Sequence, residues 1–374
     1  MRKALFWTHL AAGSVAGAVI LIMSITGVLL AYERQLINWA DGNYRSAPAP
    51  GAQPLPASAL LRAAGDGAPT ALTLRSDPLA PAEISIARER TIFVDRYTGA
   101  AVGNGSAGAR KFFQTVTAWH RWLGAGAENR GLARAVTGAC NLAFLLLIVT
   151  GPFLWIPKQW TWGRVRPIIW FRGGLQGRAR DWNWHHAIGL WTALPLAIVV
   201  FCAVFMSYPW ANDLLYRATG SAAPAPAAGR GGRPGNNARP LVATPAFDQL
   251  WSRAEQQVSG WRSITMRAPA SFQLDRGDGG RPDLRAQLTL NPKTAEVVRW
   301  EPFSEYNAGR RARSWMRFLH TGEAGGFAGQ TIAAIASAGA VVLVWTGIGL
   351  AIRRLFRAAR KTKQQPEPAE AVSV

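Results

Sequence analysis

The sequence predicts an α-helical integral membrane protein, with four transmembrane helices in two repeat halves and two small external α+β domains. Three observations carry this prediction. Four stretches are long, apolar and uncharged; basic residues gather in the short segments beside them; and one order of motifs occurs twice along the chain.

Ala4 to Tyr32 is a 29-residue run without Asp, Glu, Lys or Arg. At about 1.5 Å per residue, a helix of that length exceeds the ~30 Å hydrocarbon thickness. It is longer than a signal-peptide core and ends in Tyr32-Glu33-Arg34 without a small-x-small cleavage site, so it reads as a retained helix. Ala135 to Pro157, Ala187 to Tyr208 and Thr331 to Ile352 are equally free of charge. Each has the roughly 20 residues that a span requires.

The chain has 374 residues, 42 Lys plus Arg against 21 Asp plus Glu, and a net charge of +21. That excess alone would suggest nucleic acid. Yet only 17% of residues are charged and 49% are hydrophobic, whereas a soluble nucleic-acid binder spreads its charge over a water-facing surface. No nucleic-acid partner is therefore expected; the lipid bilayer is. The two cysteines, Cys140 and Cys202, exclude a disulfide-stapled fold and a four-Cys metal site, and no Cys-x-x-Cys-His occurs for covalent haem attachment.

Orientation follows from basic residues in short segments. Arg2 and Lys3 precede the first span. Lys158, Arg164, Arg166, Arg172, Arg178 and Arg180 lie between the second and third, and Arg353, Arg354, Arg357, Arg360, Lys361 and Lys363 follow the fourth. Both termini are expected on the cytoplasmic side of the membrane, with two large external segments. The chain then divides into an N-terminus with the first span (1–34), a first external domain (35–110), an outer His segment with the second span (111–157), and a basic cytoplasmic loop (158–184). The third span (185–208), a second external domain (209–310) with a flexible tether (219–239), a second outer His segment with the fourth span (311–352) and a basic tail (353–374) complete it.

The repeat is visible in the motifs. His9-Leu-Ala-Ala-Gly13 opens the first span and His185-His-Ala-Ile-Gly189 opens the third, while Val-Thr150-Gly151 and Trp-Thr346-Gly347 recur in the second and fourth. His120 precedes Thr150 by 30 residues and His320 precedes Thr346 by 26. Each external segment has a Pro/Ala-rich tether, a short helical pattern (Ser58 to Ala64; Phe247 to Val258) and alternation typical of strands. The strand candidates are Glu83 to Ala87, Thr91 to Asp95, Ala286 to Leu290 and Glu296 to Trp300.

All five histidines, His9, His120, His185, His186 and His320, lie at or near span ends. Ionisable groups in spans are costly enough to be functional candidates. By depth they form an inner pair, His9 with His185 or His186, and an outer pair, His120 with His320. Glu33 stands 24 residues after His9, or about 36 Å along a helix, so the layers cannot share one metal. Two imidazoles without nearby Cys, Asp or Glu make a poor zinc or manganese site. A macrocycle that supplies four nitrogens needs only two more, which points to two non-covalent b-type haems with bis-His ligation. Gly13, Gly124 and Gly189 each follow a His by four residues, where they would let a flat ring approach the helix. The same spacing also serves helix packing. His185 is preferred over His186 by its match to His9, with His186 the alternative inner ligand.

At these residues the sequence resembles the PepSY-associated transmembrane family of bacterial inner-membrane proteins, which includes siderophore-iron reductases. The resemblance covers nearly the whole chain: His9 with Thr26-Gly27, Trp119-His120-Arg-Trp-Leu, the His185 entry, Phe318-Leu-His320-Thr-Gly322, and the PepSY-like turn Phe93-Val-Asp-Arg-Tyr-Thr-Gly99. A second turn departs, with Asn291-Pro-Lys-Thr-Ala. The reductase branch implies two haems and transmembrane electron transfer.

The leading expectation is a haem-dependent ferric-chelate reductase. It passes electrons from quinol, or from a separate cytoplasmic reductase, to an anionic Fe(III)-siderophore outside. No Gly-x-Gly-x-x-Gly dinucleotide fingerprint is present. Arg110, Lys111, Arg310, Arg311, Arg313 and Arg317 precede the outer histidines, where they could meet an anionic chelate, haem propionates or lipid headgroups. Trp155, Trp160, Trp162, Trp182, Trp184 and Trp210 flank span ends and read as an interfacial belt. The alternative function is a non-enzymatic membrane-anchored module that binds a periplasmic protease or envelope protein. A cation transporter is a third reading, disfavoured because the spans lack carboxylates.

Overall fold

The computed structural model describes residues 1–65, 67–86, 90–157, 159–223 and 240–363, with side chains of the last helix described to residue 356. Lys158, residues 224–239 of the expected tether, the tail beyond 363 and the side chains of Arg357, Arg360, Lys361 and Lys363 lie outside the described residues.

The first half of the chain runs α1 (Arg2–Leu30), α2 (Glu33–Ala40), α3 (Ala57–Arg62), β1 (Pro69–Arg75), β2 (Ala82–Ile86), β3 (Arg90–Val94), β4 (Ala101–Asn104), α4 (Ala107–Trp122), α5 (Arg130–Trp155) and α6 (Trp162–Ile169). The second runs α7 (Gly177–Ser207), α8 (Pro209–Ala218), α9 (Phe247–Gln257), β5 (Ser263–Ala268), β6 (Ser271–Asp275), β7 (Arg285–Leu290), β8 (Val297–Pro302), α10 (Ala308–His320) and α11 (Gly326–Lys363). These form two units: Met1–Ala31, Ala118–Ser207 and Thr331–Val374 in one, Tyr32–Thr117 and Tyr208–Gln330 in the other.

The first unit is a helical bundle. Four helical stretches are long and apolar enough to cross a membrane: Arg2–Leu30, Ala107–Trp155, Gly177–Ser207 and Glu323–Phe356. Within the bundle α1 packs on α5 and α5 on α7. Lipid tails are as apolar as leucine, so close packing by small residues holds such helices together. A Cβ on Gly17 of α1 would touch Ile348 of α11 at 3.4 Å, and one on Gly339 of α11 would clash with Thr192 of α7 at 2.6 Å. Ala336 and Ala340 of α11 bury against Leu196 of α7, with Phe144 and Ile148 of α5 beside them. Asn141 of α5 donates to the Val200 carbonyl of α7 at 3.2 Å, so its amide is partnered inside the bundle.

The segment between α5 and α7 is fastened by one buried amide. Asn183 donates to the carbonyls of Pro167 and Trp170 at 2.6 and 3.0 Å and accepts from the Arg172 N–H at 2.9 Å. Both amide protons and its oxygen are thereby used, which is the condition for burying such a group at little cost.

The second unit contains an eight-stranded antiparallel sheet in the order β4-β3-β2-β1-β5-β6-β7-β8. The two strand-bearing segments, expected as two small α+β domains, share this sheet. Its centre is the pairing of β1 with β5, in which Leu72 faces Met266 and Leu74 faces Ile264. Alternation places Leu72, Leu74, Ile84, Ile264, Phe272, Leu274 and Leu288 in one core with Leu60 and Leu61 of α3 and Phe247, Leu250 and Trp251 of α9. Each half contributes one helix and four strands. The sequence pattern marks strands but carries no signal for which edge meets which.

Two turns in the sheet, one from each half, are built alike despite their sequences. In the first, Asp95 accepts from the N–H groups of Ala47, Tyr97 and Thr98 at 2.8–2.9 Å, and Gly99 has φ +74°. Burial opposes the Asp95 charge, but those three backbone donors hold its carboxyl below the usual range. In the second, Asn291 accepts from Lys293 N–H at 2.9 Å, and Ala295 takes Gly99's place with φ +57°. A left-handed alanine costs about 1–2 kcal/mol; Ala295 is buried in the sheet core, where its methyl packs. A Cβ on Gly99 would instead press on Leu55 at 3.2 Å. Gly99→Ala should therefore destabilise the protein by about 1–2 kcal/mol, read as a lower thermal-unfolding midpoint of the full chain.

Candidate functional site

Three histidines of the bundle are held in the same way. His9 Nδ1 lies 2.8 Å from the Thr150 hydroxyl, and His185 Nδ1 lies 3.0 Å from that of Thr346. His120 Nδ1 lies 2.9 Å from the hydroxyl of Thr26. A hydroxyl has one proton, and each of these threonines gives it to the carbonyl one helical turn back. Thr150 donates to Leu146 at 2.7 Å, Thr346 to Val342 at 2.8 Å and Thr26 to Ile22 at 2.6 Å. The oxygen that faces the imidazole then has only lone pairs to offer, so Nδ1–H is the donor. That assigns the neutral tautomer with its lone pair on Nε2.

The glycine after each threonine receives the ring edge. A Cβ on Gly151 would lie 3.9 Å from His9 Cε1, one on Gly27 3.6 Å from His120 Cε1, and one on Gly347 3.2 Å from His185 Cε1. The repeated Thr-Gly pair thus holds the imidazole nitrogen with one residue and leaves room for the ring with the next. The sequence displayed these pairs, but nothing in their spacing revealed that they would face histidines on other helices.

His9 and His185 line one cavity of about 590 Å³ in the bundle, with His186 on its wall. That volume falls within the ~300–1,000 Å³ that encloses a cofactor-sized ligand. Phe6, Leu10, Phe144, Leu147, Leu343 and Ile348 make most of the wall apolar. Gly13 and Gly189 also line it; a Cβ on Gly189 would collide with the Trp155 ring at 2.8 Å. His186 donates from Nδ1 to the Trp182 carbonyl at 2.7 Å, and its ring stacks on Trp182 with centroids 4.0 Å apart. Only His185 of the adjacent pair has a Thr-Gly cradle.

Trp155 and Trp182 therefore face the cavity rather than serving only as an interfacial belt. Trp160, Trp162, Trp184 and Trp210 are exposed. Position near a span end cannot distinguish these two roles.

Arg2, Arg178, Arg353 and Arg354 also line the cavity, a basic set that sequence reasoning used only for topology. Arg2 donates to the Leu154 and Ile156 carbonyls at 2.9 and 2.6 Å, closing the end of α5. Arg353 pairs with buried Asp181 at 2.7 Å, and Arg354 lies over the Phe6 ring, 4.5 Å from its centroid. Chemically, the cavity suits a flat, mostly apolar ligand with a nitrogen-seeking centre and acidic groups on one edge. Among the described residues, no three His, Cys, Asp or Glu side chains gather to hold a bare metal ion.

The outer histidines belong to different units, His120 to the bundle and His320 to the sheet unit. Gly124 does not share a helix face with His120, as the spacing had implied. Helix α4 ends at Trp122, and Gly124 turns the chain at φ +74° with its N–H on the Ala118 carbonyl. His320 is likewise the last residue of its helix, and Gly322 follows at φ +74°.

The basic residues before them have varied surroundings. Arg110 is committed inside the sheet unit, where it grips Asp41 through both guanidinium ends at 2.5 and 2.6 Å, with little of either side chain exposed. Arg310 pairs with Glu301 at 2.5 Å and lies 3.6 Å above the Tyr306 ring. Burial raises the Tyr306 phenol, with Arg310 opposing the shift. Arg313 is half-buried beside Tyr216. Lys111, Arg311 and Arg317 are exposed. Sequence proximity to His120 could not reveal that Arg110 would be claimed by an aspartate 69 residues earlier.

The four long apolar helices and the paired polar cradles within them define a multi-pass membrane protein. A family model described as the PepSY-associated TM region matches residues 6–354, and the chain belongs to that family. No curated protein matches the sequence.

Arg110→Ala should leave Asp41 buried without its partner and cost about 3–5 kcal/mol, whereas exposed Arg311→Ala should stay within about 0.5 kcal/mol. Thermal unfolding of the full-length variants checks both.

Proposed function

We propose that this protein is a haem-carrying ferric-chelate reductase of the bacterial inner membrane. It takes electrons from quinol or a separate cytoplasmic reductase and delivers them to an anionic Fe(III)-siderophore on the periplasmic side. The observation that supports it best is the inner cavity, where His9 and His185 each face a threonine hydroxyl through Nδ1 beside apolar walls and arginines. These residues fit b-type haem in each respect: two neutral nitrogen donors, an apolar surface for the macrocycle, and guanidinium groups for its two carboxylates. Haem held by two imidazoles would supply a one-electron couple, which suits electron transfer rather than oxygen activation.

The chain's own contribution is to hold and insulate. His9 and His185 would be the nitrogen donors; Leu147, Leu343 and Phe144 would keep water from the ring, and Arg2, Arg178, Arg353 and Arg354 would meet its acidic edge. These arginines come from the segments read as cytoplasmic by their basic excess, so the cavity lies toward the electron donor. On the sequence pairing alone, His120 and His320 would hold a second haem toward the substrate side. Each ferric ion takes one electron, and each quinol gives two with two protons. Reduction weakens a hard-oxygen chelator's hold because Fe(II) has lower charge and is softer.

Purified protein from haem-replete cells should show a low-spin bis-His spectrum with about two b-haems per chain, and a colourless preparation would overturn the cofactor and the reductase together. His9→Ala and His185→Ala should each remove one haem. His186→Ala should retain both, and loss of the inner haem in that variant alone would make His186 the ligand. His120→Ala or His320→Ala should remove the outer haem and abolish ferric-chelate reduction while the inner haem remains.

A further inference from the structure

We infer that Thr26, Thr150 and Thr346 are positioning residues that fix His120, His9 and His185 as Nδ1–H tautomers and thereby present Nε2 as the ligating atom. The inference deepens the haem reading and rests on it for the identity of the ligand, but its geometry is independent of any ligand.

An imidazole in an apolar bundle has two problems. Its N–H must find an acceptor, because an unpaired donor in hydrocarbon costs several kcal/mol. Its other nitrogen must point at the ligand, and the two tautomers differ little in energy unless a neighbour decides between them. A helix carbonyl can decide, as that of Trp182 does for His186; at His9, His120 and His185 a threonine hydroxyl faces Nδ1. A threonine whose proton is bound to the preceding turn behaves as a carbonyl displayed on the helix surface: the hydroxyl can accept and has no proton left to donate. The same arrangement occurs at three places, on α5, α11 and α1, each time with the histidine on another helix and a glycine next to the threonine.

Not every intramembrane threonine does this. Thr192 of α7 donates to the Ile188 carbonyl at 2.8 Å and packs beside Gly339, without a histidine partner among the described contacts. It therefore controls for loss of a hydroxyl from the bundle. The repeat also has one exception. Thr26 stands 17 residues after His9, and the residue 17 after His185 is Cys202, followed by Ala203 rather than glycine. A thiol is a poor acceptor, so the third span lacks the device that the first one has.

Ligand basicity is the second consequence. An Nδ1–H that donates to oxygen makes Nε2 a stronger donor, and loss of such a partner typically lowers metal affinity by about 10–100-fold. It also favours the ferric form, so removal of the hydroxyl should raise the reduction potential of the haem held by that ring.

The test compares two replacements. Thr→Val keeps the shape and removes the hydroxyl, while Thr→Ser keeps the hydroxyl and removes a methyl. Thr150→Val and Thr346→Val should weaken haem retention by about 10–100-fold at the inner site and raise its potential in a redox titration. Thr150→Ser, Thr346→Ser and Thr192→Val should stay near wild type. If the serine variants are impaired and the valine variants are not, the threonines serve packing and the inference is overturned. A second readout needs no haem: ¹⁵N-histidine NMR of haem-depleted full-length protein should show His9 and His185 protonated at Nδ1, with His9 altered in Thr150→Val alone. Rings protonated at Nε2 in the wild type overturn the assignment. A colourless wild-type preparation overturns the haem reading, while Nδ1-protonated rings in that same preparation support the tautomer assignment.

Discussion

A neutral imidazole inside hydrocarbon must give away its one N–H before its lone pair can be aimed anywhere, and that requirement organises the membrane half of this molecule. Water is absent, and helix carbonyls are engaged in their own ladders. Thr150 and Thr346 resolve the conflict with a hydroxyl whose proton is already bound to its own helix. The bond to histidine then joins neighbouring helices: α1 to α5 through His9, and α7 to α11 through His185. The contacts that orient the rings also clamp the helices around the cavity.

Small residues make this closeness possible. Gly17, Gly339, Ala336 and Ala340 let the helices approach, and Gly151 and Gly347 leave room for the imidazole edges. Bundle packing and site geometry are therefore one problem with one set of residues. A larger side chain at Gly347 would push on the His185 ring and on the helix pair together. Away from the cavity, polar groups are managed by full pairing rather than by spacing. Asn183 uses every hydrogen-bonding atom of its amide, and Asp41 has its arginine on both oxygens.

The sequence was most informative where chemistry depends on residue type and period. The spans were legible because about 20 uncharged apolar residues have few other uses, and His9 and His185 stood out because a histidine in such a run is costly. Partnership across the chain was not legible. Thr150 announces itself only when α5 is placed against α1. Trp155 and Trp182 sit where belt tryptophans sit, and only the third dimension places them on the cavity wall. The strand stretches from Glu83, Thr91, Ala286 and Glu296 fall in or against β2, β3, β7 and β8. No local signal joined β1 to β5, since an edge strand and a central strand share the same alternation. The turn at Asn291 looked divergent by its letters and proved equivalent, because asparagine supplies the same acceptor as Asp95 and a buried alanine tolerates the left-handed position.

The β1–β5 pairing at the centre of the sheet has a consequence for biosynthesis. Leu72 meets Met266 across 194 residues of chain, and two of the four long apolar helical stretches are made in between. While they emerge, β1 is a finished hydrophobic strand with an open edge, the form most prone to pairing with the wrong partner. Closure of the sheet must await the second half, because its central pairing is non-local. Thr73, Arg75, Glu83 and Ser85 keep the less buried face of the early strands polar during that interval. The duplicated plan that gives the protein its symmetry thus also fixes the order of its assembly, with the first half waiting, exposed, for its copy to be translated.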